Sequence, residues 1–325
     1  MNAPWRIIEG DCREALRAMP EGSARCCVTS PPYWGLRDYG HDGQLGLEPT
    51  PEQYVANMVE VFREVRRVLA DDGTLWLNLG DCYAQSEIRH RNKESASSGL
   101  RTSRGRWSAR VAQTGRKPDH GLKPKDLVGI PWRVAFALQA DGWYLRADII
   151  WSKPNPMPES VRDRPTKAHE YVFLLAKSDR YFYDCEAVKE AATHAGRIVR
   201  ATGAGAKNAA GSTEAADRRT AVGFTTHDTL VADTRNRRSV WNIATRPFTG
   251  AHFATMPTDL VEPCVMAGSA TGDTVLDPFA GAGTVGLVAN RLGRAFVGVE
   301  LNPQYAAIAR ERITGDAPLF NTRTA

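Results

Sequence analysis

No stretch of this 325-residue chain holds the ~18–20 uninterrupted apolar residues of a membrane-spanning helix, so a membrane-embedded role is not expected. Cysteine is scarce. The six thiols are Cys12, Cys26, Cys27, Cys82, Cys185 and Cys264, with no CxxC pair and no histidine nearby at metal-ligand spacing. That usage argues against a disulfide scaffold, gives no reason to expect a metal, and reads as reduced thiols in a cytoplasmic protein. The opening residues, MNAPWRIIEGD, lack the basic-then-apolar pattern of a secretory leader. No internal repeat is visible. What remains is ordinary for a globular protein, 42% hydrophobic and 24% charged, and long enough for one large core with a modest appendage.

Charge is unevenly spread. The chain carries a net +5, but residues 85–117 hold nine Lys/Arg against two Asp/Glu, and residues 189–238 hold nine against five. Everything outside these two segments is therefore net acidic. Basic segments on an acidic body suit phosphate contact, because Lys and Arg displace counterions from a polyanion. Solvated loops would have the same composition. Arg101, Arg104 and Arg106 beside Trp107 in the first segment, and Arg218, Arg219, Arg237 and Arg238 in the second, are the candidate phosphate contacts.

These segments divide the chain into five parts: 1–84, 85–118, 119–188, 189–238 and 239–325. In the first part, short buried strands are expected at Trp5 to Glu9 and Arg25 to Val28. Thr50-Pro51-Glu52-Gln53 has the residue types of a helix start, and apolar residues then recur at helical spacing to Leu69. Gly73 is expected to end that helix, with a strand over residues 74–79. In the third part Asp126 is expected to cap a helix running to Leu138, with strands from Leu145 to Ser152 and from Tyr171 to Ala176. The last part alternates strand and helix: a strand from Thr274, a helix from Thr284 closed by Gly293, a strand from Ala295 to Val299 and a helix from Pro303 to Ile313. Such alternation predicts a doubly wound, mostly parallel α/β sheet with helices on both faces.

Two loops carry chemistry. Val275-Leu276-Asp277-Pro278-Phe279-Ala280-Gly281-Ala282-Gly283-Thr284 joins a strand to a helix, and Gly281 and Gly283 let backbone approach a ligand without side-chain obstruction. Glu300, 19 residues after Gly281, ends the next strand where a carboxylate can accept the hydroxyls of a ribose. An adenosine-like cofactor suits this arrangement. The run from Gly281 to Gly286 also fits the GxGxxG of dinucleotide enzymes, although only 39 residues follow it, too few for the rest of such a domain.

The second loop, Thr29-Ser30-Pro31-Pro32-Tyr33-Trp34, follows an early strand. Adjacent prolines stiffen the backbone and remove two N–H donors, leaving carbonyls to face a substrate. Ser30 and the Pro31 carbonyl can accept the hydrogens of a ring amine, and Tyr33 offers a face for stacking. Alone, the run would equally suit a rigid surface turn or a peptide-docking segment.

Taken together, TSPPYW and DPFAGAGTV … FVGVE resemble the amino-methyltransferases that modify DNA at adenine N6 or cytosine N4. Having the Pro-Pro loop first and the glycine loop last resembles the family's permuted beta group. Ile8-Glu9-Gly10-Asp11-Cys12 is similar to the segment touching the cofactor's adenine, and Asp148-Ile149-Ile150-Trp151-Ser152-Lys153-Pro154-Asn155-Pro156-Met157-Pro158 to the strand and loop beside the target pocket. His169-Glu170-Tyr171-Val172-Phe173 resembles the strand that follows. Residues 251–257, AHFATMP, resemble the segment at the cofactor's methionine end, but lack the His-x-Thr-x-Lys-Pro run of many members.

The resemblance implies S-adenosyl-L-methionine as cofactor and double-stranded DNA as substrate. Ser30, Pro31, Pro32 and Tyr33 become the catalytic loop. Asp11, Thr29, Phe253 and Thr255 join Asp277, Pro278, Phe279, Gly281, Gly283, Thr284 and Glu300 as cofactor contacts. Trp34, Lys153 and Asn155 become DNA contacts. The segment 189–238 stands where the family's target-recognition region falls in order, with 85–118 as a second candidate. Ser-Pro-Pro-Tyr accompanies cytosine N4 in the family, whereas Asp- or Asn-Pro-Pro-Tyr accompanies adenine N6, so cytosine N4 is the expected target and adenine N6 the alternative. A homodimer and a partner restriction endonuclease both remain open. So do two remoter readings, an RNA or protein amine methyltransferase and a non-catalytic DNA-binding protein.

Overall fold

A computed structural model describes residues 4–36, 40–41, 43–84, 122–193, 195, 198–201, 227–230, 232–246 and 255–316. The chain divides into two units, Met1–Asp184 with Ser239–Ala325, and Cys185–Arg238. In the larger unit the elements run β1 (Trp5–Glu9), α1 (Cys12–Ala18), β2 (Ala24–Thr29), α2 (Pro51–Val68), β3 (Leu69–Leu79), α3 (Ile130–Ala140), β4 (Tyr144–Ser152) and β5 (His169–Ala176). The smaller unit contributes β6 (Glu190–Ala191), β7 (Ile198–Ala201), β8 (His227–Leu230) and β9 (Thr234–Arg235), paired antiparallel as β6 with β9 and β7 with β8. The larger unit resumes with β10 (Val240–Asn242), α4 (Thr258–Gly268), β11 (Thr274–Asp277), α5 (Thr284–Arg291), β12 (Ala295–Glu300) and α6 (Pro303–Asp316).

Eight strands form one sheet in the order β1-β12-β11-β2-β3-β5-β4-β10. The five from β1 to β3 are parallel, β5 is antiparallel to both of its neighbours, and β10 runs parallel to β4. Helices α1 to α3 pack on one face and α4 to α6 on the other. This is the doubly wound sheet that the alternation predicts. Its central strands read as mostly apolar runs because both of their faces are covered, as in Leu75, Trp76, Leu77 and Leu79 of β3, which only Asn78 interrupts. The chain leaves β2 toward β3 and leaves β11 toward β12, in opposite directions along the sheet. Their C-terminal ends therefore flank a topological switch point, where open sheets leave a crevice.

Local chemistry explains most boundaries. The Thr50 hydroxyl accepts from the Gln53 N–H at 3.2 Å, with Pro51 in the first turn of α2, as the helix-start pattern predicts. Gly293, at φ +72°, follows α5.

Two expectations fail, and one helix was missed. Helix α2 stops at Val68, Leu69 is already extended, and β3 begins there; Gly73 instead sits where a Cβ would meet the Ala70 carbonyl at 2.9 Å. Asp126 does not cap α3. The cap residue is Gly129, and the cap comes from the end of β3: Asp81 Oδ1 accepts from Gly129 N at 2.9 Å and Ile130 N at 3.0 Å. Helix α4 was not anticipated, because Pro263 sits inside it and proline removes a helical donor.

Because one carboxylate satisfies two orphan donors of α3 and also the Cys82 N–H at 2.9 Å, Asp81→Ala should lower stability by about 1–3 kcal/mol in urea denaturation. Asp81→Asn should keep part of that loss back. An alanine variant as stable as wild type would show that the helix end is satisfied by water.

Candidate active site

The crevice at the switch point is a cavity of about 280 Å³. Its wall takes in Ser30, Pro31, Pro32 and Tyr33 from the loop after β2, Asp277 from the end of β11, and Pro278, Phe279 and Gly281 from the loop that follows. Asp11, Thr255, Thr284 and Glu300 also line it. The Pro-Pro loop near the chain's start and the glycine loop near its end thus face one space.

Thr29 is the last residue of β2 and Asp277 the last of β11, and these strands are neighbours. Thr29 Oγ1 donates to Asp277 Oδ1 at 2.6 Å, and the same oxygen accepts from Phe279 N at 3.0 Å. Both side chains are buried. Burial pushes the Asp277 carboxyl up to about 7, against the pull of those two donors.

At the end of β12, Glu300 accepts from Gly281 N at 2.8 Å through Oε2 and from Asn302 N at 2.9 Å through Oε1. Each oxygen keeps a lone pair. Burial raises this carboxyl as well, partly offset by the same N–H donors. A Cβ at Gly281 would meet only the Phe279 carbonyl, at 3.9 Å, so the space over the loop is open, and φ +50° is a conformation glycine adopts readily. Gly283 serves packing instead, since a Cβ there would lie 2.8 Å from Ala309 Cβ of α6. Arg312 donates to the Ala282 carbonyl and reaches Thr284 Oγ1 at 3.3 Å. An acceptor carboxylate, an open glycine backbone and the apolar Phe279, Leu301 and Tyr305 suit a nucleoside-bearing group.

Other candidates lie elsewhere or are already engaged. Asp11 caps α1 and is bound by the Arg13 guanidinium, which holds its carboxyl below the usual range. The Tyr33 hydroxyl lies 2.7 Å from Glu170 Oε2 and 3.0 Å from Asn78 Oδ1, and its ring lies where a Cβ on Gly80 would stand. Burial beside the Glu170 carboxylate pushes its phenol well up.

Trp34 was expected at the DNA. It is buried in the core with Leu45 and Tyr54, and its Nε1 donates to the Glu48 carbonyl at 2.9 Å, so its ring is not offered to a ligand. Asn155 spends its amide on the backbone of Thr245, at 2.9 and 3.1 Å. Lys153 lines the cavity and pairs with Glu170. In the smaller unit Arg238 pairs with Glu190 at 2.7 Å and Arg237 is half-buried. Arg101, Arg104, Arg106, Arg218, Arg219 and Phe253 lie outside the described residues.

Among the lining residues to which the sequence reading gave no role are Asn78 and Glu170. Each left a signal, a polar residue inside or at the mouth of an apolar strand run, Leu-Trp-Leu-Asn-Leu and Glu-Tyr-Val-Phe.

A family model described as DNA methylase, for N6 and N4 methyltransferases, matches residues 24–311. The type II methyltransferase M.Cfr9I of Citrobacter freundii is 48% identical over 310 residues, which cover 95% of this chain and 88% of that one. The chain belongs to the DNA amino-methyltransferases. M.SmaI of Serratia marcescens is 47% identical over 95% of this chain and 90% of its own length. Among solved structures, the PvuII DNA methyltransferase, named as cytosine-N4-specific, superposes with a TM-score of 0.62 at 19% identity, over 100% of this chain and 89% of that one. A Thermus thermophilus protein solved with S-adenosyl-L-methionine gives 0.55 at 23% identity, over 97% of both chains.

The chain is thus an S-adenosylmethionine-dependent DNA methyltransferase of the beta group, with the motif order that its sequence predicts. Among the described residues, no helix is long and apolar enough to cross a membrane, and no cluster of three or more His, Cys, Asp or Glu is built to hold a metal.

The raised Asp277 carboxyl gives this methyltransferase a pH signature. A carboxyl titrating near 7 rather than near 3.8 contributes most to stability below pH 4, and that contribution disappears as the pH rises through 7. Asp277→Asn keeps an oxygen to accept from Thr29 and does not titrate. The variant's unfolding free energy should therefore gain on wild type between about pH 4 and 7, by about 2–4 kcal/mol at the upper end. A difference that stays flat over this range would place the carboxyl at its ordinary value.

Proposed function

We propose that this methyltransferase modifies the N4 amine of cytosine within a specific site of duplex DNA, acting on a base flipped out of the stack. The observation that carries this reading is the single cavity shared by Ser30 and Pro31 on one wall and Gly281 and Glu300 on the other. A stacked base cannot enter such a crevice, and extrusion costs a few kcal/mol.

When bound, S-adenosyl-L-methionine supplies a methyl group made electrophilic by its sulfonium. Glu300 would take the ribose hydroxyls on its remaining lone pairs, the apolar residues around Phe279 would hold the adenine, and Thr255 would lie toward the methionine end. A base amine is a poor nucleophile because its lone pair is delocalised into the ring. The Ser30 hydroxyl, which donates to the Tyr33 hydroxyl at 3.4 Å and keeps its lone pairs to accept, and the Pro31 carbonyl, which no hydrogen bond engages among the described residues, would accept its two hydrogens and favour a more tetrahedral nitrogen. With the amine so oriented, its lone pair would face the methyl group that the cofactor supplies, and the proton lost on transfer would pass to solvent. No covalent intermediate on the protein is needed. Orientation and proximity supply most of the acceleration, up to ~7–11 kcal/mol in favourable cases.

Ser30 favours cytosine over adenine, since Ser-Pro-Pro-Tyr accompanies N4 chemistry in the family. The PvuII likeness bears on the fold. The Cys185–Arg238 unit and the basic 85–118 segment are the regions proposed to contact phosphates and bases. The type II relatives support a role beside an endonuclease of matching site.

Labelled cofactor and plasmid DNA, digested to nucleosides after reaction, should yield N4-methylcytosine. Label confined to N6-methyladenine would replace the cytosine reading with the adenine one. Ser30→Ala should slow single-turnover methyl transfer by at least about tenfold with cofactor affinity kept, whereas Glu300→Ala should weaken cofactor binding first. If both variants lost only DNA affinity, these roles would be wrongly assigned.

A further inference from the structure

Two prolines stiffen the turn at residues 30–33, but its direction depends on how its ends are fastened. One end is tied by Thr29 to Asp277, and the middle by the Tyr54 hydroxyl, which donates to the Pro32 carbonyl at 2.9 Å. The other end is the Tyr33 hydroxyl. It donates to Glu170 Oε2 at 2.7 Å and receives the Ser30 hydroxyl at 3.4 Å. Glu170 is held in turn by Asn78 Nδ2 at 3.2 Å and by an ion pair with Lys153. The Lys153 ammonium lies 4.2 Å from the centre of the Trp151 ring, whose Nε1 donates to the Ile243 carbonyl at 2.8 Å.

This ion pair is largely desolvated, its side chains 17% and 16% exposed. Such pairs add little net stability over apolar packing, so stability does not account for one in the wall of an active-site cavity. What the pair does supply is a carboxylate held at one point, from three directions, against the catalytic turn.

We propose that Glu170 is a positioning residue for methyl transfer: by holding the Tyr33 hydroxyl it sets Ser30 and Pro31 where they receive the base amine, with Lys153 and Asn78 orienting its carboxylate. This rests on the role proposed above for Ser30 and Pro31. The base itself does not contact Glu170 in this scheme. The effect passes through Tyr33, and a displacement of about 1 Å at a reacting centre is enough to cost about 100-fold in rate.

The test is single-turnover methylation of a duplex oligonucleotide, with S-adenosylhomocysteine and DNA affinities measured alongside. Glu170→Ala should slow methyl transfer by about 10- to 100-fold while both affinities stay within about threefold. Glu170→Gln, whose amide oxygen can still accept from Tyr33, should recover to within about fivefold of wild type. Tyr33→Phe should slow the wild type but add little to Glu170→Ala, since both changes break the bond to Glu170 and Tyr33→Phe further removes only the contacts to Asn78 Oδ1 at 3.0 Å and Ser30 at 3.4 Å. A Glu170→Ala rate within about threefold of wild type, or losses that multiply in the double variant, would overturn the proposal. Should Glu170→Ala fail to fold, Tyr33→Phe decides alone, because a wild-type rate without that hydroxyl is incompatible with the scheme. Failure of the underlying reading would appear separately, as a wild-type enzyme insensitive to Ser30→Ala.

Discussion

A hydrogen bond 2.6 Å long, between the Thr29 hydroxyl and the Asp277 carboxylate, joins residues 248 positions apart and determines where the two reactants can meet. Its partners end adjacent parallel strands, so everything that leaves those strands starts from nearly the same point. The proline turn departs immediately after Thr29 and the glycine loop immediately after Asp277. The arrangement has a cost. A buried Asp in the wall of the crevice is raised to about 7, because burial outweighs two good donors. That cost falls where the fold needs two loops held in register, while the surrounding strands remain apolar.

Polar groups are otherwise few in this core, and three largely buried ones converge along the edge where strand ends meet the cavity. Asn78 near the end of β3, Glu170 at the start of antiparallel β5 and Lys153 just past β4 reach that edge from strands running in opposite directions. Because β5 runs against its neighbours, its first residues, not its last, lie beside the cavity. A buried polar group needs partners, and these three supply one another's and those of Tyr33. The same economy explains Asp81. One carboxylate at the strand end closes the N-terminus of α3, and so ties the helix across the intervening residues to the rim of the site.

Tyr33 and Trp34 show how adjacent aromatic residues diverge. The Tyr33 ring packs over Gly80 with its hydroxyl anchored at the cavity, while Trp34 turns into the core and bonds the Glu48 carbonyl. Trp151, by contrast, is both core and cavity wall, with its indole N–H satisfied inside and one ring face under Lys153.

The doubly wound sheet was legible in the chain itself, because apolar periodicity and glycine placement are local consequences of which faces a strand or helix must bury. The two functional loops were legible for a similar reason: rigid prolines and side-chain-free glycines are unusual choices whose backbone consequences need no partner. The helix start at Thr50 belongs with them, since its cap and its donor lie three residues apart. Tertiary structure alone decided the rest. It replaced Asp126 by Asp81 as the partner of α3, turned Trp34 inward, and brought Asn78 and Glu170 to Tyr33. Each of these depends on which segments the fold sets side by side, and contacts between residues well separated along the chain leave no period in a sequence.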